Sequence, residues 1–163
     1  MKKAVFLDRD GVINMKGKSY YIYREEEFHF NKGVFEALRY FLSKDYLLII
    51  ITNQGGIARG IYSEVQLIKL HWFMISELEG VGIRITDIFF CPHHPDFEEC
   101  RCRKPGTLLF EKAIEKYNID TASSFMIGDS DIDIIPAEKL GMTGILIPTN
   151  GNMMDLVVNA GKI

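Results

Sequence analysis

Several unbroken apolar runs in this chain stop abruptly at clusters of polar residues, and no other feature narrows the fold as much. Val5 to Leu7 ends at Asp8-Arg9-Asp10-Gly11, Leu47 to Ile51 at Thr52-Asn53-Gln54-Gly55-Gly56, and Ser124 to Ile127 at Gly128-Asp129. Strands that are apolar throughout, rather than at alternate positions, belong to sheets buried on both faces. Helical patterns separate them. Val34, Leu38, Phe41 and Leu42 recur at helical spacing between Lys32 and Lys44, and a second helix opens on a Ser63/Gln66 capping box and runs to Glu79. A third opens at Pro105-Gly106-Thr107 and carries Leu108, Leu109, Ala113 and Ile114; a fourth spans Ile134 to Leu140 and stops at Gly141. Ile88 to Phe90 and Thr143 to Ile147 bring the strands to five. The expected class is therefore α/β, a doubly wound parallel sheet with helices on both faces.

In such sheets ligands bind beyond the carboxyl ends of the strands, where the clusters beginning at Asp8, Thr52 and Asp129 all fall. Three loops should converge on one crevice. No segment is long enough to form a cap domain over it, and residues 1–163 are expected to form one domain. With 163 residues, 47% of them apolar, a full core needs no disulfide staples. The longest apolar run, Tyr46 to Ile51, is far below the roughly 18 residues of a membrane-spanning helix. Lys2 and Lys3 precede too short an apolar stretch for a signal peptide, so a cytoplasmic protein with no membrane partner is expected. A net charge of -3 disfavours a surface that neutralises many nucleic-acid phosphates, while leaving room for one phosphorylated metabolite.

Asp8 and Asp10 share one side of an extended segment, so both carboxyls can address one reacting group. Bringing Asp129 and Asp133 into the same crevice adds repulsion that a cation must offset. Oxygen-only ligands favour Mg²⁺, held by Asp8, Asp129 and the Asp10 carbonyl, with Asp133 as support behind them and Asp131 as a helix cap. Asp8 then serves as a nucleophile towards phosphorus, and Asp10, its pKa raised by crowding, as the acid and later the base. Thr52, Asn53 and Lys104 supply donors for the phosphoryl charge.

The order of these groups resembles the haloacid dehalogenase superfamily of phosphohydrolases, whose four motifs are matched by Asp8-Arg9-Asp10-Gly11, Thr52-Asn53, Lys104-Pro105, and Gly128-Asp129 with Asp133. The match extends from Val5 to about Leu140. The resemblance implies a Rossmann-like sheet, a nucleophilic first Asp, an acid/base second Asp and Mg²⁺ dependence.

Cys91-Pro92-His93-His94 and Cys100-Arg101-Cys102 place three thiols and an imidazole in one loop, enough for a tetrahedral zinc site. His93 is the expected imidazole, with His94 the alternative. Such a clamp would hold Arg103 and Lys104 at the crevice and lower the ordering cost of the loop. Cys-Pro-His-His-Pro, Cys-x-Cys-Arg-Lys-Pro and Thr-Asn-Gln-x-Gly-Ile-Ala-Arg-Gly from Thr52 to Gly60 together are similar to the bacterial heptose bisphosphate phosphatases, which share a subgroup with histidinol-phosphate phosphatases. That family resemblance implies a capless monomer that removes the 7-phosphate from a heptose 1,7-bisphosphate, with Cys91, His93, Cys100 and Cys102 on zinc. The stretch between His93 and Cys100 is short for that family, and the chain ends soon after the fifth strand.

Arg59 and Arg103 are the candidates for a second phosphate, because a guanidinium matches phosphate oxygens. The segment Met15 to Tyr20 could line the opposite rim, without one contact standing out. Histidinol phosphate is the rival substrate. From other classes, a phosphoacceptor receiver domain uses a similar acidic pocket, and a zinc loop can serve nucleic-acid or protein binding; the acidic charge disfavours the latter.

Overall fold

The computed structural model describes residues 1–158. Its strands are β1 (Ala4–Leu7), β2 (Leu47–Asn53), β3 (Asp87–Cys91), β4 (Phe125–Gly128) and β5 (Thr143–Leu146). The helices are α1 (Val34–Ser43), α2 (Glu64–Gly80), α3 (Leu108–Tyr117), α4 (Asp131–Lys139) and α5 (Met154–Val158). All strand pairs are parallel, in the order β3-β2-β1-β4-β5. The chain therefore reverses direction across the sheet on either side of β1, and the crevice beyond β1 is the switch point where α/β sheets bind ligands. Receiver domains follow the flavodoxin-like order 2-1-3-4-5 instead, so this sheet is not theirs.

Alternate strand residues enter different cores. Val5, Leu7, Leu48, Ile50 and Ile127 pack with Val34, Leu38 and Phe41 of α1 and with Leu70, Met74 and Leu78 of α2. Ala4, Phe6, Ile49, Ile51 and Met126 pack with Leu109, Phe110 and Ala113 of α3 and with Ala137 of α4. Helices thus cover both faces, as the unbroken apolar strands require. Each fully buried Leu, Ile or Phe contributes about 1.5–3 kcal/mol, so this double core holds the strand ends in fixed register.

Two boundaries differ from expectation with identifiable causes, and one short helix had no sequence signal. β2 runs on to Asn53 because Thr52 and Asn53 pair with Phe90 and Cys91. Ser130 is extended, and α4 begins at Asp131 rather than Ile134, which places Asp131 and Asp133 in its first turn, where the helix dipole favours acids. Asp131 is exposed there, and no side chain caps the helix. The short α5 carries no clear periodicity of its own; Met153 just before it and Leu156 within it join the α1 side of the core. The capping box of Ser63 and Gln66 is present in both directions.

Candidate active site

The loop after β1 brings two carboxylates to the crevice and anchors them differently. Asp8 donates its backbone N–H to the Ile127 carbonyl, 3.0 Å away, tying the end of β1 to β4. Gly11 closes the turn with φ +88°, and a Cβ there would collide with the Asp129 carboxylate, so this glycine is required both for conformation and for space. Arg9, between the two acids, is fully buried. Its guanidinium donates to Asp10 Oδ1 at 2.8 Å and to the Ile22 carbonyl at 2.6 Å, and it meets His71 Nε2 at 3.2 Å. Burial and the charge of Arg9 push His71 down to about 3, so the ring is neutral and Nε2 accepts.

Asp10 lies below, not above, the usual carboxylate range. Burial pushes it up, but the charge and hydrogen bonds of Arg9, with bonds from Asn14 and Gln54, outweigh that and hold it down. The expected upward shift from crowding is therefore corrected: donors, not other acids, dominate around Asp10. Gln54 Nε2 donates to Asp10 Oδ2 at 3.0 Å and to Thr52 Oγ1 at 2.9 Å, while its carbonyl accepts from the Tyr62 hydroxyl.

Asp8 moves the other way, to about 7. Burial is the main cause, and the charges of Asp133 and Asp10 add to it against the pull of Lys104. Lys104 is buried, and its ammonium lies 2.8 Å from Asp8 Oδ1, 2.6 Å from Asp133 Oδ1 and 2.7 Å from the Ile51 carbonyl. Burial alone would lower Lys104, but the two carboxylates raise it. One cation shared by two acids stays charged and leaves Asp8 short of compensation. Asn53 fixes the loop that delivers it, accepting from the Lys104 N–H at 2.9 Å and donating to the Lys104 carbonyl at 3.1 Å.

Asp129, at the end of β4, receives Lys16 Nζ and Thr149 Oγ1, both 2.7 Å from its Oδ2. Asp133 reaches in from the first turn of α4 with its second oxygen, Oδ2, buried and without a hydrogen-bond partner. Gly128 permits this approach, since a Cβ there would meet Asp133. Asp8, Asp129 and Asp133 each offer an oxygen within 4.8 Å of the others. Three gathered carboxylates with one buried orphan oxygen fit a hard divalent cation such as Mg²⁺. Asp133, expected only behind the ligands, thus stands among the side chains able to reach the ion, while the Asp10 carboxylate is engaged by Arg9, Asn14 and Gln54.

A cavity of about 200 Å³ opens over these groups, lined among others by Asp8, Asp10, Asn53, Arg103, Lys104 and Asp129. Thr52 is buried and not part of the lining. Arg59 also lies outside it, on Asp96 at 3.3 Å and against Tyr21; its neighbour in sequence space, the cavity motif, does not carry its side chain inward. Lys16, Tyr20 and Tyr21 do line the cavity, although no spacing in their polar segment singled them out. Gln54, His71 and Thr149 were missed as well, because their roles depend on partners distant in sequence.

Cys91, His93, Cys100 and Cys102 form a second cluster. The sulfur pairs are 3.1, 3.4 and 3.6 Å apart, and His93 Nδ1 is 3.2 Å from Cys102 and 3.7 Å from Cys91. A tetrahedron with zinc-to-sulfur bonds of 2.3 Å has edges of about 3.8 Å, and of about 3.5 Å where one ligand is nitrogen, so the four atoms already outline a zinc site. Glu98 holds the other ring nitrogen of His93 at 2.9 Å, the carboxylate support common behind ligating histidines. His94 Nδ1 faces Asp96 instead, which decides between the two histidines. The cluster reaches the cavity through Arg103, whose N–H points to Cys100 Sγ at 3.4 Å and whose guanidinium donates to the His93 carbonyl at 3.1 Å.

A parallel sheet whose central strand ends in Asp-x-Asp, with a buried lysine and further acids arriving from later loops, defines a hydrolase site of the haloacid dehalogenase type. The HAD-hydrolase-like family model matches residues 101–159. A D-glycero-beta-D-manno-heptose-1,7-bisphosphate 7-phosphatase from Haemophilus ducreyi is 41% identical, covering 98% of this chain and 94% of that protein. The D-glycero-alpha-D-manno-heptose-1,7-bisphosphate 7-phosphatase of Campylobacter jejuni is 47% identical over 81% of this chain and 74% of its own. The crystal structure of D,D-heptose 1,7-bisphosphate phosphatase from B. bronchiseptica, complexed with magnesium and phosphate, superposes with a TM-score of 0.84 at 31% identity, covering 98% of this chain and 87% of that one. The chain belongs to the heptose bisphosphate phosphatase family of haloacid dehalogenase-like hydrolases, and is a phosphoric monoester hydrolase.

Proposed function

We propose that this protein removes the 7-phosphate of D-glycero-D-manno-heptose 1,7-bisphosphate, with the phosphoryl group carried transiently on Asp8. The observation that carries the reading is the meeting of Asp8, Lys104, Asp129 and Asp133 from three separate segments of the chain in one cavity, in a chain related to phosphatases of that substrate. Asp8, Asp129 and Asp133, with the Asp10 carbonyl, would hold Mg²⁺, which would supply positive charge to the carboxylates and to the phosphoryl oxygens.

An Asp8 oxygen attacks phosphorus as the bond from phosphorus to the sugar oxygen breaks. Asp10 gives its proton to that leaving oxygen. Its donors keep Asp10 ionised in the empty site, and the negative charge of an arriving phosphate favours proton uptake. Once the sugar leaves, the ionised Asp10 takes a proton from water, the water oxygen attacks the aspartyl-phosphate, and phosphate departs with Asp8 restored. The donors around Asp10 thus keep it in the ionised form from which a base must start. Lys104 steadies Asp8 throughout, Thr52 acts from beneath through Gln54, and Arg103, set in the cavity wall by its bonds to Cys100 and His93, anchors the distal phosphate. The chain acts as one capless domain and as a cytoplasmic monomer. Among the described residues no helix is long and apolar enough to cross a membrane.

The test compares kcat/KM for both heptose bisphosphate anomers and for histidinol phosphate, with Asp8→Asn as the control. A preference for a heptose bisphosphate, abolished by Asp8→Asn in a folded protein, is expected. Preference for histidinol phosphate would overturn the substrate, and turnover retained by Asp8→Asn would overturn the nucleophile.

A further inference from the structure

Every carboxylate in the cavity is paired with a cation, two of them sharing one. Arg9 serves Asp10, Lys104 serves Asp8 and Asp133, and Lys16 serves Asp129. Two of these cations are fixed, since the side chains of Arg9 and Lys104 are 0% and 1% exposed; that of Lys16 is 41% exposed. The root of Lys16 is nevertheless pinned. Its N–H donates to Asn150 Oδ1 at 2.7 Å, and Asn150 Nδ2 donates to its carbonyl at 3.0 Å. A tethered backbone with a half-exposed four-carbon arm keeps its ammonium beside the cavity even when it lets go of its partner.

That partner is one of the three acids that fit a divalent cation. An ion arriving at Asp129 puts two positive charges within a few ångströms of the Lys16 ammonium, and the repulsion drives the weaker, exposed contact apart. Asp129 Oδ2 loses little by this, because Thr149 Oγ1 donates to the same atom. The released ammonium still borders a cavity floored by Asp8, to which a phosphate must be presented.

We propose that Lys16 is a transferable phosphate anchor: it holds Asp129 while the site is empty, yields that carboxylate to the divalent cation, and then binds the oxygens of the phosphate at Asp8. Lysine suits such a change of partner, being a flexible point charge rather than a fixed fork. The proposal rests on the phosphatase reading above.

The test is calorimetric titration of Mg²⁺ into the protein freed of Mg²⁺, followed by inorganic phosphate into the Mg²⁺-loaded protein, for the wild type, Lys16→Met and Lys18→Met. Lys18 is exposed two residues further on and controls for the lost charge. Lys16→Met is expected to bind Mg²⁺ about two- to fivefold more tightly, the scale of an exposed ion pair, and phosphate more weakly by at least as much. Lys18→Met is expected to change neither. Unchanged or weaker Mg²⁺ binding in Lys16→Met, unchanged phosphate binding, or equal shifts in Lys18→Met would each overturn the role of Lys16. If the wild type takes up Mg²⁺ and only these differences fail, the phosphatase reading stands; if the wild type takes up none, both fall.

Discussion

The ammonium of Lys104 lies 2.8 Å from Asp8 and 2.6 Å from Asp133, so one buried cation is divided between an acid that follows β1 and one in the first turn of α4. Removing it leaves two carboxylates facing each other in a closed site. In metal-free protein, Lys104→Met should lower the unfolding free energy by about 3–5 kcal/mol, the range for breaking a buried pair. With Mg²⁺ present, kcat should fall by about a hundredfold or more, as when a donor to developing charge is lost. Lys104→Arg should recover little, since a planar fork cannot replace an ammonium that also meets the Ile51 carbonyl. Denaturant unfolding and steady-state kinetics decide it; activity within tenfold of wild type in Lys104→Met would contradict the shared role.

Gln54 joins Asp10 to Thr52 and Tyr62, so it should act on turnover without touching substrate. Gln54→Ala takes the donor from Asp10 Oδ2 while Arg9 and Asn14 keep Oδ1, and is expected to lower kcat about tenfold or more, within the range for general acid–base groups, with a smaller change in KM. Gln54→Glu, which sets a second acid against Asp10, should be worse. A change confined to KM would place Gln54 in substrate binding instead.

The zinc cluster predicts a separable defect. Zinc analysis should give one ion per chain, and Cys100→Ser should abolish it while the acidic site still binds Mg²⁺. Loss of about 2 kcal/mol would lower Tm by about 4–8 °C in a chain of this size. Because Arg103 is held by Cys100 and His93, KM for the bisphosphate should rise more than KM for a simple aryl phosphate. Equal effects on both would remove the link from the cluster to the distal phosphate.

What could be read before the structure follows from how local each signal is. The strands were legible because Val5 to Leu7 and Leu47 to Ile51 are apolar without interruption, and a two-sided core permits little else. Asp8, Asp129 and Lys104 were legible because each stands directly at a strand end or in a short motif. The environment of Asp10 was not: its carboxyl responds to Arg9, Asn14 and Gln54, and only the folded chain brings Gln54 across. Arg59 and Lys16 show the same limit from opposite sides. Arg59 follows a cavity motif yet turns to Asp96, whereas Lys16 lies in an unremarkable polar stretch and meets Asp129, 113 residues away. Direction of a side chain is a tertiary property, and charge type alone does not encode it.

Acid sensitivity should trace to His71. In the folded protein this ring is held at about 3, first by burial and then by the charge of Arg9, whereas an unfolded histidine takes its proton near 6.5. Between these values the unfolded chain carries one more proton at this site than the folded one. Its contribution to stability is therefore complete above about pH 6.5 and is lost as pH falls towards 3, at about 1.4 kcal/mol per pH unit. His71→Gln keeps an oxygen that can accept from Arg9 but cannot take up a proton. Urea unfolding of metal-free protein at several pH values between 7.5 and 4.5 should show the variant losing stability less steeply than the wild type. The two curves should differ by a constant above pH 7, where only packing distinguishes them, and converge or cross on the acid side. Parallel curves through the whole range would mean that the ring titrates alike in both states, and that the contact between His71 and Arg9 does not keep it neutral.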